Sequence, residues 1–467
     1  SFLYPGAKTT PAYEVANSCR FNKADTAYMH KTTSAGNRRT WSFSTWLKRI
    51  SLGTQVTFGV VQTSTGNDNI MAMQFTSANK LEVWDYAGGI TAQITTNRLF
   101  RDTSAWMHIL ISADTTSGTA NNRLRLYING TEERGVGGYA TDTMPSQNYD
   151  FDINQDSKVL KFGAYDGGSV GSPADFYFAE TVFVDGTALS PTDVGEFDSD
   201  SPTIWKPIDV SGLSGSKGTN GFYLDYEDSS NLGNDVFGGT DLTEVNLAAT
   251  DQSTDTCTNN FCTLNSISEH NDSTFSNGNL TYTGNASAVH MALGSIGVTK
   301  GKWYFEAQRI TGNSAYPFVG VFNTDGTMGS YLGQTVDGWS LLMDANNNGE
   351  WRNNDTLSGT SAGTFTNGDT AMVAIDMDNG KIWFGRNGTF ADSGNPSAGS
   401  GEQYSNLTGT IIAAVAVYTG ASISLNFGSP PYSISSGNSD GNGHGNFEYA
   451  VPSSYFSLCT KNLSEFG

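Results

Sequence analysis

Short runs of alternating apolar and polar residues recur along the chain, and turn dipeptides follow many of them. The run NRLRLYINGT, at residues 122–131, places its apolar residues on one face of an extended strand: Leu124, Leu126 and Ile128. Asn129 and Gly130 then supply two positions that tolerate positive φ, as a tight hairpin turn requires. The run GKIWFGRNGT, at 380–389, repeats this pattern. The repetition predicts two antiparallel β domains that use the same hairpin.

The length and composition favour several β domains. The chain has 467 residues, among them 54 glycines, and Asn-Gly and Asp-Gly pairs occur throughout. Short strands at this turn density predict an all-β fold of two antiparallel β-sandwich, jelly-roll-like domains joined by an irregular packed segment. The expected divisions are an N-terminal arm (1–14), a first sandwich (15–197), the connecting segment (198–274), a second sandwich (275–428) and a C-terminal tail (429–467).

The charge balance narrows the class of partner. The chain has 25 basic and 46 acidic residues, which gives a formal net charge of −21. Nucleic acid and anionic membranes are therefore excluded as expected partners, because a strongly acidic protein gains nothing from their negative charge. No apolar run is long enough for insertion into a membrane. The first residues lack the apolar core of a signal peptide, so we expect synthesis in a cytoplasm without a secretion signal.

Four cysteines are too few for a disulfide framework. The run CTNNFC, with Cys257 and Cys262, could close a small loop, but it lacks partner His or Cys residues at zinc spacing. The pattern favours free thiols and leaves a bridge between these two cysteines open.

The sequence indicates a protein without catalytic activity. A glycan hydrolase on such a sandwich would place paired carboxylates close together on one strand, and no Glu-x-Asp-x-x-Glu run exists here. The closest acidic groups are Glu82 with Asp85, Glu132 with Glu133, and Asp225 with Glu227 and Asp228. His108 lies in a strand pattern and is expected to be a structural histidine. A glycan-degrading enzyme whose carboxylates come from distant loops stays the alternative.

Binding sites are expected where aromatic and amide side chains reach the rims of the sandwiches, since aromatic faces stack on sugar rings while polar groups orient hydroxyls. The candidate ligand-binding residues are Trp84, Asp85, Tyr86, Tyr316, Trp351 and Arg352. The competing interpretation for each is packing inside or between the sheets.

One loop resembles a calcium-binding sequence. In DANNNGEWRNND, oxygen-bearing side chains alternate before a glycine, and the candidate ligands are Asp344, Asn346, Asn348 and Asp355. The flanking residues read as strands rather than helices, so an ordinary hairpin is the competing interpretation. No cofactor is required by either interpretation, and calcium is the candidate ion.

Several motifs resemble known β-sandwich families. The first domain, with RTWSFSTWLKR, WMHILIS and RLRLYINGT, resembles a laminin-G-like, concanavalin-A-type lectin domain. The second, with GKWYFEAQ, FVGVF, GWSLLMD, GDTAMVAIDMDNGKIWFGRNGTF and SISLNFG, resembles a SPRY domain. These resemblances imply two antiparallel sandwiches that bind glycans or proteins, and the first also allows a calcium ion at a rim.

The whole chain resembles structural proteins of marine tailed bacteriophages, through ANSCRFNKADTAYMHKTTSAGNRRTWSFSTWLKR, SNGNLTYTG and YAVPSSYFSLCTKNLSEFG. The resemblance implies a virion protein, either a tail fibre or spike or a capsid decoration or capsid fibre. Its expected partners are other virion proteins of the capsid or tail, and a host surface glycan or receptor. A homo-oligomer is expected, with trimers as the form common among phage fibres. A purely structural decoration protein is a further alternative.

Overall fold

The computed structural model describes residues 13–61, 69–164, 173–267, 273–284, 289–311, 316–344, 349–418 and 420–467. Nearly all of its regular structure is β, as the alternating pattern predicts. The first part of the chain contains strands β1 Ser18–Phe21, β2 Tyr28–Thr32, β3 Thr40–Arg49, β4 Gln55–Val61, β5 Ile70–Phe75, β6 Lys80–Tyr86, β7 Ile90–Leu99, β8 Trp106–Asp114, β9 Leu124–Ile128, β10 Thr131–Glu132, β11 Tyr139–Thr143, β12 Val159–Phe162 and β13 Phe176–Asp185. A short α-helix, α1 Glu133–Val136, follows β10.

Two antiparallel sheets form the first sandwich. One has the order β10-β9-β8-β3-β13-β1, and the other has the order β11-β7-β6-β5-β4-β12-β2. Their inner faces bury an aromatic and aliphatic core that includes Trp41, Phe43, Phe58, Phe162 and Phe178. The rings of Phe43 and Phe58, one from each sheet, stack with centroids 4.1 Å apart, so the two sheets interlock through aromatic contacts.

The connecting segment adds short strands to the first sandwich. They are β16 Phe222–Leu224, β17 Thr243–Val245 and β18 Gln252–Ser253, while β14 Glu196–Phe197, at the end of the first sandwich, and β15 Trp205–Lys206 pair with each other in a separate two-stranded sheet. Strands β16 and β18 pair with β13 and β1, and β17 pairs with β2. The segment is therefore packed, as expected, but it is also part of both sheets.

The second sandwich and the tail contain β19 Ser273–Ser276, β20 Thr281–Gly284, β21 His290–Val298, β22 Lys302–Thr311, β23 Phe318–Asn323, β24 Gly338–Leu342, β25 Glu350–Asn353, β26 Thr356–Ser361, β27 Thr370–Asp376, β28 Lys381–Arg386, β29 Thr389–Phe390, β30 Ile411–Val417, β31 Ser422–Asn426, β32 Phe456–Ser457 and α2 Thr460–Phe466. Their sheets have the orders β19-β20-β31-β22-β27-β28-β29 and β21-β30-β23-β24-β25-β26, with β32 parallel to β22. Trp303, Trp339 and Trp383 are buried.

The repeated Asn-Gly pairs form the predicted hairpin turns. Asn129 and Gly130 have φ values of 48° and 75°, and the turn joins β9 to β10. Asn387 and Gly388 have φ values of 47° and 87° between β28 and β29. Both residues of each pair are left-handed, as the hairpin turn requires. The resemblance between the two runs thus concerns folding.

The connecting segment and the tail cover one outer sheet face each. Val210 and Tyr223 of the segment pack with Leu110 and Val182 of the first sandwich. Tail residues Phe447 and Tyr455 pack with Tyr304, Met372 and Trp383 of the second. The buried Glu306 carboxylate also accepts hydrogen bonds from the backbone N–H groups of Glu448, at 3.0 Å, and Tyr449, at 2.8 Å. The tail is therefore attached by both apolar packing and a buried acceptor.

Buried polar contacts join the first sandwich to the connecting segment. The Lys48 ammonium lies 2.6 Å from the Asp255 carboxylate, and both side chains are almost fully buried. Asn260 accepts a further hydrogen bond from Lys48, at 2.8 Å. Asn279, beside β20, donates to the carbonyl of Ile50 at 2.9 Å and extends these contacts into the second sandwich.

Cys19, Cys257, Cys262 and Cys459 are free thiols in the structure. Within the described ranges, no helix has the length and apolar character needed to cross a membrane.

Candidate functional site

Trp84 and Tyr86 lie on the outer face of the first sandwich. Along β6, Leu81, Val83 and Asp85 point inward and are buried, so the residues between them point outward. Trp84 is half-buried because it packs against Val56, Ile70 and Ala72 on neighbouring strands. The indole is partly exposed to solvent, although its Nε1 is buried and has no hydrogen-bond partner among the described residues.

A group of polar side chains is fixed beside this indole. The Glu82 carboxylate accepts hydrogen bonds from Gln74 Nε2 at 2.6 Å, Gln93 Nε2 at 2.9 Å and Thr95 Oγ1 at 2.7 Å. Because an ionised carboxylate only accepts, both glutamines must direct N–H toward Glu82 and their carbonyl oxygens elsewhere. Gln93 is the direct cross-strand neighbour of Trp84. We call Trp84, Tyr86, Gln74, Glu82 and Gln93 the Trp84 face.

Asp85 does not share this face. Its side chain is 1% exposed, and its carboxylate accepts hydrogen bonds from Thr91 Oγ1 at 2.5 Å, Tyr149 Oη at 2.6 Å and the backbone N–H of Asp152 at 3.2 Å. Burial raises the pKa of Asp85, and these three hydrogen bonds oppose the shift. The prediction of Asp85 as a ligand-binding residue is therefore corrected: the carboxylate holds the end of the sandwich together.

The second sandwich has an apolar groove on the outer face of its six-stranded sheet. The groove has a volume of about 370 Å³ and is lined mainly by Tyr316, Phe318, Tyr331, Leu342, Arg352 and Leu357. We call these residues the Tyr316 groove. Phe318 and Leu342 are cross-strand neighbours, as are Arg352 and Leu357, so four strands supply one continuous surface.

Two of the predicted binding residues, Tyr316 and Arg352, meet in this groove. The Arg352 guanidinium lies over the Tyr331 ring at 5.2 Å, and the Tyr331 ring stacks on Phe318 at 5.7 Å. The hydroxyl of Tyr331 donates to Asp355, whose carboxylate is 3.5 Å from Arg352 Nη1. The result is an apolar floor with a single cationic wall.

Trp351 points the opposite way from Arg352. Its side chain is 4% exposed and belongs to the inner core with Trp339 and Phe365. A ring in this position packs the sheets and does not reach a surface ligand. The prediction of a ligand-binding Trp351 is corrected on that ground, since adjacent strand residues face opposite sides.

The predicted calcium ligands are only partly within the described ranges. Asp344 is buried near Arg309, whereas Asp355 is exposed beside Tyr331 and Arg352. Asn346 and Asn348 lie outside the described residues. In the described part of the chain, no group of three or more His, Cys, Asp or Glu side chains is placed to hold a metal. Calcium binding at this loop stays a prediction.

Three of the other residues considered for catalysis, Glu132, Glu133 and His108, have structural partners. Glu132 pairs with Arg125 at 2.7 Å, and Glu133 pairs with Arg98. His108 is buried, its Nε2 is 2.9 Å from Ser44 Oγ, and burial lowers its pKa to about 3. A neutral, enclosed imidazole of this kind is the predicted structural histidine.

Sequence reasoning missed Gln74, Glu82 and Gln93 as members of the Trp84 face, and Tyr331 and Leu357 as parts of the Tyr316 groove. The strand alternation around Trp84 could have identified Glu82, because residues two apart share a face. The cross-strand glutamines depend on register, which no local pattern specifies.

Residues 22–195 match the sequence model of the laminin G type within the concanavalin A-like lectin/glucanases superfamily. Among solved structures, the SPRY domain of human HERC1 is 20% identical, with 35% of this chain and 96% of that chain covered and a TM-score of 0.29. A heptameric SAP-like pentraxin from Limulus polyphemus is 13% identical over 38% and 81%, with a TM-score of 0.30. The TRIM65 PSpry domain is 12% identical over 35% and 91%, with a TM-score of 0.27.

Proposed function

We propose that this protein is a non-enzymatic glycan-binding component of a virion surface, and that the Trp84 face is its glycan site. The observation that carries the proposal is the partly exposed Trp84 indole beside the fixed Gln74–Glu82–Gln93 group. An aromatic face stacks on the apolar side of a sugar ring, while oriented amides bind its hydroxyls. The match of residues 22–195 to a lectin and glucanase superfamily supports this class of ligand.

The orientation of the acidic residues favours binding over hydrolysis. Glycan hydrolysis commonly needs two carboxylates that flank the scissile bond, at about 5–10 Å from each other. On β6, Glu82 faces outward and is held by three neutral donors, whereas Asp85 points into the sandwich. The strand therefore presents one of its two carboxylates on the proposed glycan face.

The proposed setting is a tail fibre or spike, or a capsid decoration or capsid fibre, that contributes to host-surface attachment. The sequence resemblance to marine phage structural proteins supports this setting, and the acidic composition suits a soluble particle surface. In this proposal the partners are capsid or tail proteins and a host surface glycan, and the protein is a homo-oligomer, with a trimer as the phage-fibre analogue.

A glycan array with the full chain tests the ligand class. We expect binding to a restricted set of bacterial surface polysaccharides, with loss of signal for Trp84→Ala and weaker signal for Gln93→Ala. Tyr316→Ala is the matched control, because it removes an exposed aromatic ring from the other sandwich. Equal binding by the wild type and Trp84→Ala would reject the proposed site.

Two further measurements separate the alternatives. Release of reducing sugar ends from a bound polysaccharide would support a glycan-degrading depolymerase instead. Absence of glycan binding, together with antibody labelling over the whole head of intact particles in electron micrographs, would support a purely structural capsid decoration protein. Labelling at the tail tip, with array binding, is the outcome that fits host attachment.

A further inference from the structure

The Tyr316 groove has an exposed apolar surface that the proposed glycan function does not use. Tyr316 is 45% exposed and Leu357 is 36% exposed, although both side chains are large and apolar. A second groove, of about 640 Å³, adjoins it through Val289 and includes Met328, which is 37% exposed. Contiguous exposed apolar groups of this kind mark interaction surfaces more often than isolated ones do.

Arg352 adds a positive charge to the groove and, with it, a guanidinium that needs a hydrogen-bond acceptor. Its Nε–H is buried and has no acceptor among the described residues, although the guanidinium lines the groove. Asp355 lies 3.5 Å from Nη1 and also accepts the hydroxyl hydrogen of Tyr331. An acceptor from a ligand, and above all a carboxylate, would complete the hydrogen bonding of the guanidinium.

The groove lies along the last strand of its sheet. Strand β26 ends the order β21-β30-β23-β24-β25-β26 among the described strands, and Leu357 of β26 lines the groove. Thr360, near the end of β26, contacts Asp392 at 3.2 Å, so the part available for pairing is 356–359. An exposed edge of this kind can pair with an extended chain through backbone hydrogen bonds.

We propose that the Tyr316 groove binds an extended polypeptide segment in which a bulky apolar side chain lies within two residues of a single carboxylate. The apolar side chain occupies the floor formed by Phe318 and Leu342, and the carboxylate accepts from Arg352. The backbone of the segment pairs with 356–359. This protein-binding site is separate from the Trp84 face and stands whether or not that face binds glycans.

The same contacts argue against other occupants. A glycan would need several polar groups around its hydroxyls, whereas the floor of the groove is aromatic and aliphatic. A polyacidic segment would be repelled by a chain with a net charge of −21. A single carboxylate beside an apolar residue satisfies Arg352 without that repulsion.

Selection from a displayed library of random dodecapeptides, against the full chain, provides the probe. We expect enrichment of peptides in which Leu, Ile, Phe or Trp lies within two positions of Asp or Glu. The most enriched sequence is then synthesised in its acidic form and with the acidic residue replaced by its amide. Both peptides are titrated against wild type, Arg352→Gln, Leu357→Ser and, as a control, Trp84→Ala.

The proposal predicts a specific pattern of affinities. Arg352→Gln should bind the acidic peptide at least tenfold more weakly than wild type does. Wild type and Arg352→Gln should bind the amide peptide with equal affinity, because the interaction that the variant loses is the one with the carboxylate. Leu357→Ser should weaken both peptides, and Trp84→Ala neither. Backbone hydrogen exchange at 356–359 should slow in the complex.

Several results would overturn the proposal. The first is enrichment of peptides that lack an apolar residue close to an acidic one. The second is an unchanged affinity of folded Arg352→Gln for the acidic peptide. The third is backbone hydrogen exchange at 356–359 that does not slow in the complex. Loss of glycan binding in Tyr316→Ala would also overturn it, because the groove would then be a glycan site. If Arg352→Gln does not fold, Leu357→Ser at an exposed position keeps the proposal testable, since equal affinity in that variant rejects it.

Discussion

Replacing Lys48 with methionine should destabilise the contact between the first sandwich and the connecting segment. In the wild type the Lys48 ammonium is 2.6 Å from Asp255, at side-chain exposures of 0% and 1%. Without the ammonium, the donors that Asp255 keeps among the described residues are the neutral Trp106 Nε1, at 3.0 Å, and the backbone N–H of Phe261, at 3.3 Å. The variant therefore leaves a buried carboxylate without a counter-ion.

Removing one partner of a buried ion pair leaves the other charge unpaired. We therefore expect the free energy of unfolding to fall by about 3–5 kcal/mol in Lys48→Met. The double variant Lys48→Met/Asp255→Leu removes both charges and should recover most of this loss. Urea denaturation followed by tryptophan fluorescence measures both differences. A Lys48→Met protein that unfolds within about 1 kcal/mol of the wild type would refute the reasoning, because the pair would then behave as a solvated surface pair.

Two other buried carboxylates give testable predictions. Burial first, and then the charge of Asp85, raise the pKa of Asp152 to about 7 from 3.8. Because the pKa of Asp152 is higher in the folded state than in the unfolded state, the protonated carboxyl favours the fold at low pH. This contribution to the free energy of unfolding is lost as the pH rises from about 4 to about 7, by up to about 1.4 kcal/mol per pH unit for one group. Asp152→Asn should flatten the decline in melting temperature over this range, and an unchanged decline would contradict the assignment. Glu306→Ala should release the tail, because the backbone N–H groups of Glu448 and Tyr449 lose their acceptor. Limited proteolysis should then cut within 429–450 faster than in wild type. Glu402→Ala, which removes a partly exposed carboxylate paired with Lys381, is the control. Equal cleavage rates in Glu306→Ala and wild type would count against the buried attachment.

The sequence was sufficient to predict the strands with long alternation and the Asn-Gly turns. Leu124, Leu126 and Ile128 are buried on one face, as their spacing predicts. Local pattern and turn chemistry specify such hairpins together, so no tertiary information is required. Strands β17 and β18 of the connecting segment could not be found in this way, because two or three residues are too few to show a period.

The candidate site was predicted in part. Trp84 and Tyr86 face outward and Asp85 inward, and Arg352 faces outward while Trp351 faces inward. A cluster of aromatic and polar residues on one strand indicates a candidate binding surface. It does not show which of the two alternating sets of side chains faces the solvent. That choice depends on which side of the sheet meets the core, and therefore on long-range pairing.

The affinity of a bacterial surface polysaccharide for wild type, Trp84→Ala and Tyr316→Ala tests the central claim most directly. The polysaccharide selected on the array is titrated into each protein by calorimetry, after equal melting temperatures confirm that all three are folded. The glycan-binding account predicts about 10- to 100-fold weaker binding for Trp84→Ala, equivalent to about 1.4–2.8 kcal/mol, and unchanged binding for Tyr316→Ala. Equal affinities for wild type and Trp84→Ala would contradict the account.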